Sequence, residues 1–190
     1  LMRGDESYAG SASFFRFEAV VKDLTGFKHV IPTHQGRAAE RILFSLVGGK
    51  GKAIPSNAHF DTTRANIEHS GAEAVDLRIQ ESKDPTSTHG FKGNIDLQRL
   101  ESFLRHREPG TVPLGMITIT SNTAAGQPVC VENIRQAKRL LARHGIPLYL
   151  DACRFAENAW LIKERDPGYR NVPVRQIARE VFSLADGCIL

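Results

Sequence analysis

Short apolar segments alternate with stretches of helical periodicity along the whole chain, and that alternation leaves few folds open. Phe14, Phe17, Val21 and Leu24 recur at helical spacing after Ser11 and Ser13, either of which can cap, and Gly26 follows as a stop. Residues 28–32 read as a short strand, Thr33-His34-Gln35-Gly36-Arg37 as a turn, and Ala38, Ala39, Ile42, Leu43 and Leu46 as one face of a second helix. Further strands are expected at residues 52–55, 74–79, 116–120 and 148–151. Helical patterns fall at Leu97, Leu100, Phe103 and Leu104, at Ile134, Ala137, Leu140 and Leu141, and over residues 154–165 and 174–185. The chain ends on Asp186-Gly187-Cys188-Ile189-Leu190, which again reads as a strand, while residues 81–93 read as a polar loop. Strands separated by helices of ten or more residues predict an α/β fold: three layers, α/β/α, around a mainly parallel sheet.

Composition narrows the function classes. A chain of 190 residues with 41% hydrophobic and 24% charged residues suffices for one domain or part of one, which excludes a disordered or collagen-like chain. No apolar run approaches the roughly 20 residues of a membrane helix. The net charge is +4, but Lys and Arg are interspersed with Asp and Glu, so no nucleic-acid footprint is expected. Three widely spaced cysteines, Cys130, Cys153 and Cys188, form neither a CxxC pair nor a disulfide framework, and they favour a reducing, cytoplasmic compartment. The opening Leu-Met-Arg-Gly-Asp-Glu-Ser has no apolar h-region; no export signal is expected, and the natural start is expected upstream of Leu1.

In open sheets of this type ligands bind beyond the carboxyl ends of the strands. Three segments are expected there: His34-Gln35-Gly36-Arg37, Thr120-Ser121-Asn122 and Asp151-Ala152-Cys153-Arg154. Gly36 lets backbone approach a ligand, a helix start offers free N–H groups, and Arg37 adds a cation, which together suit a phosphate; the plain alternative is an ordinary turn with a surface arginine. Asp151 ends an apolar run and can pair with a protonated ring nitrogen, or simply cap the helix that follows. Asn122 is either a polar turn residue or a ligand donor.

The segments Arg3-Gly4-Asp5-Glu6-Ser7-Tyr8-Ala9-Gly10, Pro32-Thr33-His34-Gln35-Gly36-Arg37, Phe60-Asp61-Thr62-Thr63, Phe91-Lys92-Gly93-Asn94, Thr120-Ser121-Asn122-Thr123-Ala124-Ala125-Gly126-Gln127-Pro128-Val129 and Asp151-Ala152-Cys153-Arg154-Phe155-Ala156-Glu157-Asn158-Ala159 lie in one order and spacing from Met2 to Leu190. In that order the chain resembles the β-eliminating lyases, a pyridoxal-phosphate-dependent family that comprises tryptophanase and tyrosine phenol-lyase. The resemblance implies that residues 1–190 are part of the large, cofactor-binding domain of an aspartate-aminotransferase-like (fold type I) enzyme. It also implies β-elimination of an aromatic amino acid, L-tryptophan to indole, pyruvate and ammonia, with L-tyrosine to phenol, pyruvate and ammonia as the alternative. A threonine-aldolase-like enzyme and a non-enzymatic α/β binding module are the further alternatives.

By the same resemblance Gln35, Gly36 and Arg37 hold the cofactor phosphate, Phe60 stacks on the pyridine ring, Asp151 pairs with its nitrogen, and Arg154 and Asn122 face its 3-oxygen. Tyr8 is the implied general acid for the leaving group, working across a subunit boundary, so that Tyr8, Asp151 and Arg154 form the catalytic set. Glu6 is implied in a monovalent-cation site, potassium in this family, and a homotetramer built from dimers that share active sites is the implied assembly. His34 is given no chemical role. The lysine that attaches the cofactor falls in the family just beyond the strand after Asp151; here that strand is residues 186–190, and Lys163 lies too early to serve. The lysine and the small domain are therefore expected outside this chain.

Overall fold

The computed structural model describes Asp5 and residues 10–190. Its helices are α1 (Ala12–Thr25), α2 (Gly36–Val47), α3 (Asp61–His69), α4 (Leu97–Arg105), α5 (Val131–Arg143), α6 (Phe155–Arg165) and α7 (Val174–Ser183). The strands are β1 (Ala53–Ser56), β2 (Glu73–Asp76), β3 (Gly115–Thr118), β4 (Leu148–Asp151) and β5 (Gly187–Ile189). They form one five-stranded sheet in the order β2-β1-β3-β4-β5, with every pairing parallel.

The three layers follow from where successive side chains point. All four residues of β1 and of β3 are buried, as expected for strands covered on both faces. Met116 packs with Phe44, Ile54 and Ile67 towards α2 and α3, whereas the next residue, Ile117, joins the larger core of α4 to α7 around Leu141, Ile162 and Phe182. The first helix lies outside that second layer: Phe27, just beyond it, meets Phe182 edge-on at 6.2 Å, and Asp23 pairs with Arg175 and Arg179 of α7.

Local chemistry sets the element ends. Ser11 caps α1 by accepting the Phe14 N–H, and Gly26 ends it at φ 75°, a left-handed conformation that suits glycine. Residues 28–32 depart from the strand expected there. They pair with no strand among the described residues, Pro32 has no N–H to donate, and Ile31 is 82% exposed. Conversely α3 was not anticipated, because its sequence DTTRANIEH carries a single large apolar residue, the fully buried Ile67.

Four asparagines tie the loops at the sheet rim together. Asn57 donates to the Gly93 and Thr118 carbonyls at 2.7 and 3.0 Å and accepts from the Thr118 N–H at 2.9 Å, extending the link between β1 and β3 beyond the last ladder bond. Asn158 of α6 brackets both backbone groups of Val129, and Asn133 of α5 does the same to Ile95. Asn94 accepts the Cys130 N–H. Asn57, Asn133 and Asn158 thereby supply partners for buried peptide groups outside the sheet ladder.

Candidate active site

The start of α2 supplies one wall of the site. Gln35 holds the N-cap position in an extended conformation with no side-chain cap bond, so the first N–H groups of the helix face outward. A Cβ placed on Gly36 would meet no heavy atom within 4 Å, so the protein's own packing does not demand glycine at that point. Open space beside free N–H groups, a positive dipole end and the exposed Arg37 is the chemistry that suits a phosphate.

A second wall comes from the turn between β1 and α3. Phe60 stands at the N-cap of α3, 37% exposed, and its neighbour His59 is buried. Both the His59 N–H and its Nδ1 reach Asp76 Oδ1, at 3.0 and 2.8 Å, and Arg64 pairs with the other Asp76 oxygen at 2.7 Å. This brace fixes the turn that presents the Phe60 ring. The His59 Nε2 is buried with no hydrogen-bond partner among the described residues.

The floor is Asp151, the last residue of β4 and 6% exposed. It does not cap the following helix: α6 has Arg154 at its N-cap position and no side-chain cap bond. Nor does the carboxylate form an ion pair among the described residues. Burial pushes the Asp151 carboxyl above the ordinary aspartate range, the Glu40 carboxylate adds to that push, and hydrogen bonds from Cys153 and the Thr118 side chain oppose it. Burial, and then the charge of Asp151, drive the neighbouring Cys153 thiol up to about 11, so it is a thiol and not a thiolate at neutral pH.

The third segment completes the rim. Asn122 opens a short helical turn, Asn122–Ala124, after β3, and its Oδ1 accepts a hydrogen bond from Arg154 Nη1. Gln35, Gly36, Arg37, Glu40, Phe60, Thr62, Asn122, Asp151, Cys153 and Arg154 together line one cavity of about 360 Å³, within the roughly 300–1,000 Å³ of small-molecule sites. All seven residues expected at the cofactor are thus brought together, from four separate parts of the chain. Tyr8 and Glu6 lie outside the described residues. Among the described residues no group of three or more His, Cys, Asp or Glu is arranged to hold a metal ion.

These residues fit a phosphorylated pyridine. Anion-binding N–H groups lie on one wall, an aromatic ring on another, and at the floor a buried carboxylate that needs a cationic partner. Over residues 1–190 the chain matches the family model described as Beta-eliminating lyase. The chain belongs to the beta-eliminating lyase family. Relatives within it include a tryptophanase of Rhodobacter capsulatus, 60% identical over 98% of this chain and 41% of the relative, and a tryptophanase of Salinibacter ruber, 62% identical over 98% and 40%. A tyrosine phenol-lyase of Symbiobacterium thermophilum is 44% identical over 100% of this chain and 42% of the relative. The chain therefore spans about two fifths of the length of the curated relatives it matches. Two solved structures share its fold at low identity: an aminotransferase, TlmJ, of Streptoalloteichus hindustanus (TM-score 0.53, 14% identity, 72% of this chain and 33% of that one), and a SepCysS-SepCysE N-terminal domain complex (TM-score 0.57, 15% identity, 79% and 39%).

Two residues of the cavity wall and its support escaped the sequence reading. Glu40 stands four residues after Gly36 and four before the fully buried Phe44, on the buried stripe of α2, and a charged residue on such a stripe is the signal that finds it. His59 had no comparable signal, since its partner Asp76 lies on a different strand.

Proposed function

We propose that residues 1–190 are part of the large domain of a pyridoxal-phosphate-dependent lyase that converts L-tryptophan to indole, pyruvate and ammonia. The observation that carries this reading is the shared cavity, in which a free helix start and a buried carboxylate without an ion-pair partner among the described residues lie at different walls of one small site. Family membership favours a lyase over the aldolase-like and non-enzymatic readings. Tryptophan is favoured over tyrosine by identities of 60% and 62% to tryptophanases against 44% to the tyrosine phenol-lyase of Symbiobacterium thermophilum.

In this reading Gln35 and the N–H groups of Gly36 and Arg37 bind the cofactor phosphate, with the Arg37 guanidinium beside them. Phe60, at the N-cap of α3 and on the cavity wall, would pack on the pyridine ring and exclude water from it. Asp151 holds a proton on the ring nitrogen by charge and hydrogen bonding, and burial strengthens that pairing because little water competes. Arg154 and Asn122, bonded to one another, would hold the 3-oxygen side of the cofactor. The chemistry supplied by the bound cofactor is a sink for the electron pair that remains when the substrate loses its α-proton. Tyr8 then supplies the proton that the aromatic leaving group takes away. The attaching lysine and the small domain belong to the rest of a longer polypeptide.

Glu6 contributes in this account to a monovalent-cation site, potassium by the family resemblance, and the enzyme works as a homotetramer whose dimers share active sites. Its setting is the cytoplasm, supported by three free cysteines. No described helix is long and apolar enough to cross a membrane. The test is a product assay of the full-length polypeptide with pyridoxal phosphate, using tryptophan and tyrosine separately. Indole from tryptophan, with kcat/KM at least about tenfold above that for phenol from tyrosine, is the expected outcome; a tenfold ratio is about 1.4 kcal/mol of discrimination. Dominant phenol release would make tyrosine the substrate, and the absence of both indole and phenol would overturn the proposed activity.

A further inference from the structure

The cavity holds a second carboxylate that no function assigned so far uses. Glu40 is 6% exposed, lines the same space as Asp151, and has no ion pair among the described residues. Its two oxygens are held from α3: the Thr63 hydroxyl donates to Oε1 at 2.6 Å and the Asn66 amide to Oε2 at 3.1 Å. Donors directed at both oxygens fix the place of the carboxylate. Of the two arginines that line the cavity, Arg154 bonds Asn122 and Arg37 stands exposed at the start of α2; neither forms an ion pair with Glu40 or Asp151 among the described residues.

We propose that Glu40 is a positioning residue that acts through Asp151: with its charge anchored to α3, it makes the cavity select a pyridine ring that carries a proton on its nitrogen. The physical reason is that two largely buried carboxylates lining one small cavity repel, and the arrangement is relieved by a cation placed at either of them. The upward push that Glu40 exerts on the Asp151 carboxyl is the same repulsion seen from the other side. Because Glu40 sits one helical turn below the N–H groups of Gly36 and is bonded to the helix that follows Phe60, it also ties the phosphate wall to the aromatic wall. This role rests on the cofactor reading above.

The test compares dissociation constants, by fluorescence or absorbance titration of the full-length protein, for pyridoxal phosphate and its 1-deaza analogue, in which carbon replaces the ring nitrogen. The wild type should prefer the natural cofactor. Glu40→Gln keeps an acceptor for Thr63 but removes the charge, and should narrow that preference about tenfold, the equivalent of one pKa unit, chiefly by weakening the natural cofactor. Glu40→Asp keeps the charge on a shorter stem, so both ligands should weaken alike with the preference retained; it serves also where the Gln variant does not fold. Asp151→Asn should abolish the preference. Parallel weakening of both ligands in Glu40→Gln, no change in either, or collapse of the preference in Glu40→Asp would overturn the role of Glu40 while leaving the Asp151 pairing intact. A wild type that does not distinguish the two ligands would overturn the cofactor reading itself, and the role of Glu40 with it.

Discussion

Asp151→Asn in the full-length enzyme is expected to slow removal of the substrate α-proton by on the order of 10²-fold, and to stabilise the cofactor-free protein at neutral pH. Both effects come from one buried carboxylate. With cofactor bound, a neutral amide cannot hold a proton on the ring nitrogen, so charge developing at the substrate is poorly dispersed. Without cofactor the carboxylate is 6% exposed, lines the same cavity as Glu40 and has no cationic partner among the described residues.

The sign of the pH dependence follows. Burial first, and Glu40 second, raise the folded-state pKa of Asp151 above its ordinary value of 3.8. The folded protein therefore binds this proton more tightly than the unfolded chain does. The associated stability is fully present below the unfolded pKa and is lost as pH rises through the folded one. In the cofactor-free state the variant should exceed the wild type in denaturation midpoint at pH 7, and the difference should shrink as pH falls towards 4. Exchange of the substrate α-hydrogen with deuterated solvent measures the catalytic effect. Wild-type exchange together with an unchanged midpoint would remove Asp151 from its assigned role.

Tyr8→Phe should act later in the reaction. Removing the hydroxyl leaves substrate binding and α-proton exchange near wild-type levels, but elimination of indole should fall by roughly 10² to 10⁴, the usual contribution of a positioned general acid. A substrate whose leaving group departs without protonation should lose far less. Steady-state rates with both substrate types, read beside the exchange rate, decide between this role and a structural one, which would depress all three together.

Much of this arrangement was legible in the sequence, for identifiable reasons. The strand ending at Asp151 and the helix between Ser11 and Gly26 are set by short-range signals: an apolar run closed by a carboxylate, and a cap at each end of an apolar period. The cavity residues were legible through the ordered motifs, which the structure gathers at the carboxyl-end rim of β1, β3 and β4 and at the start of α2. Residues 28–32 have the composition of a strand but no ladder partner among the described residues, and pairing is not a local property. α3 is a helix because Thr63 and Ile67 pack inwards and Asn66 bonds Glu40, a tertiary circumstance that outweighs a weak apolar pattern. His59, Glu40 and the four rim asparagines are paired with groups 17 to 61 residues away, far beyond the spacing at which helix and strand periods are read.

The account stands on the ring nitrogen of pyridoxal phosphate meeting Asp151. A crystal structure of the full-length protein with that cofactor measures it directly. The expected result is a pyridine nitrogen about 2.7–2.9 Å from an Asp151 carboxylate oxygen, the distance of a charge-assisted hydrogen bond, with the phosphate at the N–H groups of Gly36 and Arg37. A ring nitrogen directed to another group or to solvent, with the Asp151 carboxylate untouched, would contradict it.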